Sequence, residues 1–536
     1  MPRQSWIFVC SLSFAAACSS ESDNPITDTV GDTQSASTGT SDTTSDDSGS
    51  DDSTGSTDTT DTTDTDTDTD TDTTDTGDAC ETGPLVLSKL KAFPTAYGAG
   101  SIASGGRGGA VIHVTNLDDD GPGSFRAALN QAGPRTVVFD VSGRIDLASR
   151  IELIDVHSDL TIAGETAPEG GITISGSTLL FSGGYNLPTL PTNNLIIRHT
   201  RFRNGSYTGE PDVFDHNAII SGGTERFIFD HLSFSFNDDQ AISMAPFFAP
   251  LLDGTIQTSI FSENATGIIL GVTAPFEIDR LSTLNNLFVH QSHRTPNISG
   301  DGRFDVINNV AFNWGARLTT VKNGAPGVNY IGNHLIVGED TSNAEANNKV
   351  QLGGDGFDPV IYTANNYHSA KYPVPELDDR GIWSDFFTSD PVEDMYFTTT
   401  QLPLLAETFV QTAEAAKDAV LDDVGANAFI SDDGVPGRYL DSYDTERIND
   451  VIDGVSRSPA NTSWTQPVLP LNARPDGYYV TLPDIPEFFV QDHAISSNAD
   501  IIPVYEFGDC EIHNDAGYTA FEMYLFYAAG DWDRLL

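Results

Sequence analysis

Apolar and polar side chains alternate from residue 228 to residue 236, and a polar cluster follows up to residue 240. This alternation is typical of a β-strand with one buried face and one accessible face. The polar positions include Asp230, and the cluster contains Asp238 and Asp239. A strand that only packs in a core has no need of carboxylates. We therefore interpret it as one level of a larger stack that carries a binding surface.

Short apolar segments of the same kind recur from residue 195 onwards, and their last residues lie 23 to 32 residues apart. The segments span residues 195–199, 227–231, 255–259, 282–286, 305–309, 329–333 and 361–365. Strand-forming repeats of this length predict a parallel β-solenoid, in which each turn buries its inner face only by stacking on its neighbours. A β-sandwich is the alternative, and it would show shorter, more even intervals with tight hairpin turns.

We predict an all-β fold, with a parallel β-helix over residues 80–370 and a C-terminal appendage of helices and coil over residues 371–536 that packs on it. Successive turns are expected about 4.8 Å apart. Several segments end in Asn, such as Asn286, Asn309 and Asn333. These side chains should stack as a structural ladder that pairs with backbone groups at the bends.

The N-terminal region predicts export. Residues 1–18 contain Arg3, a short apolar run and three Ala residues directly before Cys18. Small residues before a Cys are typical of a bacterial lipoprotein signal in which the Cys is lipidated, and plain secretion after cleavage nearby is the alternative. Residues 19–79 are mainly Ser, Thr, Asp and Gly, which predicts a disordered tether. We expect a protein that is secreted or lipid-anchored at the bacterial cell surface.

Four cysteines are present. Cys10 leaves with the signal and Cys18 is the lipidation candidate. The remaining two, Cys80 and Cys510, are expected to form a disulfide that joins the ends of the folded region. Two free thiols are the alternative.

The formal net charge is −52, and residues 1–80 account for −17 of it through eighteen acidic residues and one Arg. The folded part is therefore strongly acidic too, which argues against nucleic acid and anionic membrane surfaces as partners. We expect a monomer that meets a membrane only through its lipid anchor. A polyanionic ligand would need a local basic site, or a saline habitat that screens the repulsion.

A series of short motifs resembles the extracellular pectate lyases, in the order found in that family. They are residues 92–94 (AFP), 104–109 (SGGRGG), 115–117 (TNL), 121–129 (GPGSFRAAL), 162–168 (IAGETAP), 230–231 (DH), 294–296 (RTP), 308–309 (NN) and 313–315 (NWG). Residues 420–426 (VLDDVGA) and 517–525 (GYTAFEMYL) match the tail of a bacterial branch. The resemblance implies a right-handed, single-stranded parallel β-helix that cleaves uronate polysaccharides by β-elimination.

The resemblance also implies a calcium ion, which hard oxygen ligands bind well. Asp215, Asn217 and Asp230 match the ligand positions of the family, with Asn217 where a second Asp is usual. Asp239 matches an acid of the bacterial branch. These four residues are the candidate calcium ligands.

Arg226 stands where the family has a fourth ligand. An Arg there would replace the metal by a fixed cation, as in the calcium-independent pectin lyases, and its guanidinium also suits a substrate carboxylate. A register shift by one residue would give this position to Glu225 instead. The expectation of calcium therefore depends on the place of Arg226.

Arg294 matches the catalytic Arg of the family, and His293 and Arg226 are candidates for substrate binding. The resemblance implies that Arg294 takes the proton, although a guanidinium normally stays protonated. Chemistry alone requires only a cation near the reacting centre. The usual substrate Lys of the family is missing, and Lys322 or Arg303 are its candidate substitutes.

We predict a polysaccharide lyase, a carbon–oxygen lyase acting on pectate, pectin or a related acidic polysaccharide of plant or marine origin. One alternative is a glycoside hydrolase on the same fold that uses Asp238 or Asp239 in a carboxylate pair. Another is a non-catalytic surface β-helix that binds glycans.

The catalytic prediction requires the turns to bring Asp215, Arg226, Asp230 and Arg294 together along one groove. Structural roles compete with it, because Asp230 could bond only a turn and His231 could be a stacked residue at a bend. Side chains scattered over different faces, or buried in the interior, would overturn the catalytic prediction that depends on these four residues, whatever the architecture.

Overall fold

The computed structural model describes residues 84–181, 191–205, 217–237, 239–272, 276–341, 348–352, 356–431, 434–457, 501–507 and 510–535. The chain divides into two units, Met1–Ala79 and Cys80–Leu536, and every described residue lies in the second. The predicted signal and tether, with Cys18 and Cys80, lie outside the described residues.

Three long sheets of parallel strands wind into a β-solenoid, because the chain passes through sheets I, II and III in every full turn. Sheet I has ten strands: Ala110–Val114, Arg135–Phe139, Leu160–Ala163, Leu195–Arg198, Thr224–Asp230, Leu251–Gln257, Ile278–Leu284, Arg303–Ile307, Gly327–Ile331 and Val360–Ala364. Sheet II has nine: Gly143–Asp146, Ile172–Ser175, Thr200–Phe202, Ser233–Ser235, Ile260–Ser262, Leu287–Val289, Val310–Phe312, His334–Ile336 and Tyr367–His368. Sheet III has nine: Ile151–Glu152, Leu179–Leu180, Ile219–Ser221, Gln240–Met244, Thr266–Leu270, Asn297–Ile298, Thr320–Lys322, Asn348–Gln351 and Trp383–Asp385. The predicted parallel β-solenoid is confirmed, and its last strand lies beyond residue 370.

Apolar side chains fill the interior on every turn. In sheet II the buried rings of Phe202, Phe234, Phe261 and Phe288 form a stack whose successive centroids lie 5.3, 4.9 and 5.0 Å apart. Each such aromatic pair adds about 0.5–1.5 kcal/mol beyond the area that it buries. The alternation around Phe234 in the sequence is therefore the alternation between the inside and the outside of one turn.

The predicted asparagine ladder fixes the corner between sheets I and II. The Oδ1 atom of Asn309 accepts the backbone N–H of Asn286 at 3.0 Å, and Asn333 and Asn366 continue the series at 2.9 and 2.8 Å. The side-chain amides bridge in the same direction at 2.9 to 3.0 Å. In the last turn the ladder uses Asn366, while Asn365 adopts a left-handed conformation with φ of 58°. Each bend thus satisfies backbone groups that burial would otherwise leave unpaired.

Two helices of the appendage, Ala413–Asp422 and Ser442–Asp453, cover sheet II. Their Val420 and Val451 share an apolar cluster with Leu287 of the sheet. This face of the solenoid is therefore closed to solvent by packing.

A buried ion pair network fixes the start of the helix Ser442–Asp453. Arg203, on the outer side of sheet II, donates to Asp444 at 2.8 Å and to Asp441, the residue that caps the helix. Ser233 also donates to Asp444, at 2.7 Å. The helix is therefore anchored by specific polar contacts as well as by apolar burial.

The C-terminal helices Ala520–Ala529 and Asp531–Leu535 cover sheet I. Met523 and Trp532 belong to the same apolar cluster as Ile228 of that sheet. The described helices thus cover sheets I and II, which leaves the outer face of sheet III to the loops around its strands.

The ends of the second unit meet in a small sheet formed by Leu85–Val86, Cys510–His513 and Val504–Phe507. This pairing holds the start of the described region against the C-terminal segment. The disulfide between Cys80 and Cys510 stays a prediction, because Cys80 lies outside the described residues.

The remaining elements are short. They are the helix Phe125–Leu129, the 3₁₀ turns Ala99–Ile102, Asp155–His157, Gly164–Thr166, Arg380–Ile382 and Asp394–Tyr396, and the strand pair Ala428–Ile430 and Pro436–Arg438. The helix Phe125–Leu129, capped by Ser124, was not predicted, and it packs into the first turns of the core. Among the described residues no helix is long and apolar enough to cross a membrane.

Asp379 ends the ladder, because its Oδ2 accepts both the backbone and the side-chain N–H of Asn366 at 2.8 Å. Burial raises the pKa of its carboxyl from 3.8 to about 6, against hydrogen bonds from Thr363 and Asn366 that lower it. The folded pKa exceeds the unfolded one, so the native state binds more protons between the two values. The stability that the native state gains from protonation of Asp379 is complete below pH 3.8 and is lost as the pH rises through about 6.

The variant Asp379→Asn keeps the hydrogen-bond acceptor and removes the titrating group. We expect its free energy of unfolding to fall by about 1–3 kcal/mol less than that of the wild type between about pH 4 and about pH 6. Asp379→Ala should lose about 1–3 kcal/mol at every pH, since ladder donors lose their partner. Urea unfolding followed by circular dichroism measures both, with the exposed Asp378→Asn as the control. An unchanged slope in Asp379→Asn would contradict titration of Asp379 in this window.

Candidate active site

The loops before the strands of sheet III bring polar side chains of successive turns into one row. The backbone N–H of Gln240 donates to Asn217 Oδ1 at 3.0 Å. In the next turn the N–H of Thr266 donates to the backbone oxygen of Asp239 at 3.0 Å. Asn217, Asp239 and Thr266 therefore lie at the start of three consecutive levels of sheet III.

Arg294 continues this row one level further on. The N–H groups of Gly267 and Ile268 donate to the backbone oxygens of His293 and Arg294 at 3.0 and 2.7 Å. Because successive levels lie about 4.8 Å apart, Arg294 and Asp239 are separated by about 10 Å along the solenoid axis. The structure thus brings Asn217, Asp239, His293 and Arg294 to one edge of one sheet.

Three cations surround His293 at this edge. Burial, followed by the charges of Arg317, Arg294 and Lys322, lowers the pKa of His293 well below its usual value. Lys322 follows Val321, which is buried in the core, so Lys322 lies on the outer face of sheet III. We call Arg294, Arg317 and Lys322 the cationic patch. It brings three cationic side chains together at one edge of this acidic chain.

Sequence reasoning did not find the patch as a unit. Lys322 was only a candidate substitute, and the structure separates it from the other candidate, Arg303, which lies on sheet I and pairs with Asp279 at 3.3 Å. Arg317 was not singled out at all, and its guanidinium lies over the ring of Phe386 at 4.7 Å. Its position in the loop directly before a sheet III strand is the signal that could have identified it.

The described donors do not fit a calcium ion on their own. Calcium takes six to eight oxygen ligands. Among the described residues of this row, Asp239 supplies the carboxylate. Its side chain contacts the amide of Gln240. Asn217 is fully buried, and its Oδ1 already accepts the N–H of Gln240. Asp215, the other predicted ligand, lies outside the described residues.

Arg226 and Asp230 lie on another face of the solenoid. Both belong to the strand Thr224–Asp230 of sheet I, whereas Arg294 precedes a strand of sheet III. Arg226 is exposed at a break in the strand register, with φ of 57°. This corrects the expectation that Arg226, Asp230 and Arg294 share one groove. It also removes Arg226 as a substitute for calcium or a substrate contact beside Arg294.

Asp230 is the centre of a buried ion pair network. It accepts hydrogen bonds from Arg198 Nε at 2.9 Å and Gln257 Nε2 at 2.8 Å, and His231 Nδ1 lies 2.9 Å from it. Arg198 also donates to Asp531 of the C-terminal helices, through two nitrogens at 2.9 Å. Burial acts to raise the pKa of Asp230, but His231 and Arg198 hold it far below its usual range. These contacts engage Asp230 in fixing the C-terminal helices and not in the predicted calcium site.

His199, Asp230 and His231 place ligand-type atoms within 4.8 Å of one another. The two rings stack, with centroids 4.7 Å apart and an angle of 23° between their planes, so their nitrogen lone pairs lie side by side instead of converging on one point. A metal ion would also meet the charge of Arg198, which already pairs with Asp230. The stacked, structural role considered for His231 therefore fits this cluster better than a metal centre.

Fold and site define a parallel β-solenoid with a cationic patch at the edge of sheet III. The chain is 31% identical over 361 residues to a probable pectate lyase C of Emericella nidulans, covering 67% of this chain and 77% of that protein. It is 34% identical over 337 residues to a probable pectate lyase C of Aspergillus fumigatus, covering 58% and 73%. The chain belongs to the pectate lyase family.

Other comparisons are narrower. A probable pectate lyase C of Aspergillus flavus is 36% identical over 287 residues, so the match spans 53% of this chain and 62% of that relative. No family model matches the chain. Among solved structures, the cedar pollen allergen jun a 1 has a TM-score of 0.45 at 17% identity, covering 62% of this chain and 92% of the allergen. These curated relatives are fungal, and the bacterial branch stays a prediction.

We expect Asp230→Ala to lower the free energy of unfolding by about 3–5 kcal/mol, because Arg198 would lose a buried counter-charge. The loosened C-terminal helices should also become more sensitive to limited proteolysis. The matched control is Asp239→Ala on sheet III, which should change stability far less. Unchanged stability and proteolysis in Asp230→Ala would contradict the structural role and return Asp230 to the list of candidate ligands.

Proposed function

We propose that this protein is a lyase that cleaves pectate, pectin or a related uronate polymer by β-elimination. Its membership of the pectate lyase family supports the reaction. The observation that carries the proposal is the cationic patch of Arg294, Arg317 and Lys322 around His293, at the edge of sheet III. A polyanion requires such a site on a chain of net charge −52.

The reaction needs basic groups at two places, beside the substrate carboxylate and beside the proton that is removed. The proton on the carbon beside the uronate carboxylate passes to Arg294, acting as a neutral guanidine, the electrons of that C–H bond form a carbon–carbon double bond, and the glycosidic oxygen leaves and takes up a proton. Negative charge develops on the carboxylate during this step, so preorganised cations lower the barrier. In our proposal Arg317 and Lys322 neutralise the carboxylate, and Arg294, the residue that the family resemblance identifies, lies at the proton that is removed.

His293 supports this arrangement as a neutral group. Burial and the neighbouring cations keep its pKa well below the usual value, so it stays uncharged at neutral pH. Its Nδ1 lies 2.9 Å from the hydroxyl of Ser292, which fixes the ring. A neutral imidazole can bind a sugar hydroxyl without adding a charge, and this fits the predicted role of His293 in substrate binding.

Arg294→Ala should lower kcat by about 10²–10⁴-fold, the usual contribution of a proton-transferring group. Turnover is followed by the ultraviolet absorbance of the unsaturated product on polygalacturonate. The matched control is Arg303→Ala, which removes an arginine of sheet I and should keep turnover within about twofold. Full activity in Arg294→Ala, with its fold intact by circular dichroism, would reject the assignment.

The protein's own cations replace part of the role that calcium would play. When bound, calcium neutralises the substrate carboxylate, and the residues that would help to hold it are Asp239 and Asp215. Because Asp239 is the carboxylate of the described row, we expect EDTA to reduce turnover by less than about tenfold, or 1.4 kcal/mol in the barrier. A complete loss of turnover that added calcium restores, together with a weaker response of turnover to calcium in the Asp239→Asn variant, would contradict this expectation.

The export assignments belong to the same proposal. Cys18 as a lipidation site, the tether of residues 19–79 and a monomeric enzyme at the cell surface are supported by the sequence alone. The alternative of a glycoside hydrolase predicts new reducing ends without a double bond, and the same ultraviolet assay separates the two reactions. Binding without either product would support a glycan-binding protein.

A further inference from the structure

The motif of residues 162–168 (IAGETAP) has no part in the proposed reaction, and it carries a buried carboxyl group. Glu165, in the 3₁₀ turn Gly164–Thr166, is fully shielded from solvent. In the described part of the chain its side-chain oxygens have no hydrogen-bond partner beyond its own backbone. Burying an ionised carboxylate without partners is costly, so the protonated form of Glu165 is favoured.

The C-terminal helix Ala520–Ala529 provides part of this shield. Glu165 lines a cavity of about 20 Å³, and Leu525 and Phe526 of the helix form part of its wall. Such a cavity has room for a water molecule, and bulk solvent does not reach the carboxyl group. Undocking of the helix would open this wall and hydrate Glu165.

Arg198 is the cation that faces Glu165, with 3.9 Å between its Nη1 and Oε1 of the carboxyl group. Its hydrogen bonds go elsewhere, to Asp230 on sheet I and to Asp531 of the C-terminal helices. Three carboxyl groups therefore surround one guanidinium, and only two of them are hydrogen-bonded to it. An ionised Glu165 would compete with Asp531 for Arg198, and the contact with Asp531 helps to hold the C-terminal helices on sheet I.

The other charged groups around Glu165 are already engaged. Glu522 of the helix pairs with Arg107. Arg135, on the neighbouring strand of sheet I, donates to backbone oxygens. The strand Ala428–Ile430, which also packs on the 3₁₀ turn, has no ionisable side chain. Glu165 is therefore left with the shared guanidinium.

The proton of Glu165 is linked to helix docking. Burial raises the pKa of Glu165 from 4.5 to about 7, against the charge of Arg198, and the charges of Asp531 and Asp230 raise it further. In the undocked state the carboxyl group is hydrated, so its pKa returns towards 4.5. The docked form therefore binds more protons between these two values. Docking is strongest below about pH 4.5 and weakens as the pH rises to about 7, above which both forms are ionised.

We propose that protonated Glu165 is a pH-sensitive latch that holds the C-terminal helices on sheet I. Loss of the proton leaves a buried charge that Arg198 cannot neutralise without weakening its bond to Asp531. The helices then undock more often, and water reaches the carboxyl group. The latch acts on sheet I and does not depend on the reaction proposed for sheet III.

Hydrogen exchange of the backbone amides of the helix Ala520–Ala529, corrected for the intrinsic pH dependence of exchange, measures undocking. In the wild type the protection of these amides should fall about tenfold per pH unit between about pH 5 and about pH 7, because undocking releases one proton. The variant Glu165→Gln keeps the shape of the side chain and cannot ionise, so its protection should lack this fall. Glu165→Met provides a second variant if Glu165→Gln does not fold.

The matched control is Asp533→Asn, at an exposed carboxylate of the last helix, which should keep the fall seen in the wild type. The helix Ala413–Asp422, measured in the same samples, should respond to pH in the same way in every variant. Burial lowers the pKa of His231, but the charge of Asp230 raises it overall, and the Glu165 variants leave this pair in place. A fall of wild-type size in a folded Glu165 variant, or no fall in the wild type, would overturn the latch.

Discussion

Parallel pairing between successive turns is the constraint on which the rest of this structure depends. It leaves the loops free to vary, since the repeat interval ranges from 23 to 32 residues, but it fixes which residues of different turns become neighbours. The ladder through Asn309 and Asn333 makes slippage costly, because each buried amide left unpaired costs about 1–3 kcal/mol. A slip by one residue would also exchange the inner and outer faces of a strand. The row from Asn217 to Arg294 is a consequence of this register.

Buried ion pairs decide where the appendage docks. Arg203 holds the start of one helix on sheet II, and Arg198 holds Asp531 on sheet I. Burying these charges adds little net stability, but removing one partner of such a pair typically costs about 3–5 kcal/mol. A helix placed elsewhere would leave the arginines without partners. The result is selective docking, in which the described helices pack on sheets I and II and not on sheet III.

The sequence was sufficient for the architecture and for part of the site. Period and alternation depend on local residue type, so the solenoid and its asparagine ladder could be predicted. Period and alternation could not test the grouping of Arg226 with Arg294, because loops of irregular length leave open which strand of a turn a residue belongs to. Asp230 was misassigned because its burial is set by Arg198 and by Asp531, which lies 301 residues later in the chain. Arg317 was not identified, and Lys322 was found only as a candidate substitute for the substrate Lys, since isolated cations carry no periodic signal.

The local basic surface also explains how a strongly acidic chain can engage a polyanion. Charges separated by more than a Debye length, about 8 Å at physiological ionic strength, are largely screened, so the ligand responds to the patch more than to the net charge. Many carboxylates of the folded unit are already paired, as Asp423 is with Arg534. The remaining acidity then acts in favour of binding at one place. It repels an anionic polymer from the other faces, so that in the proposed function the cationic patch is the favoured place of approach.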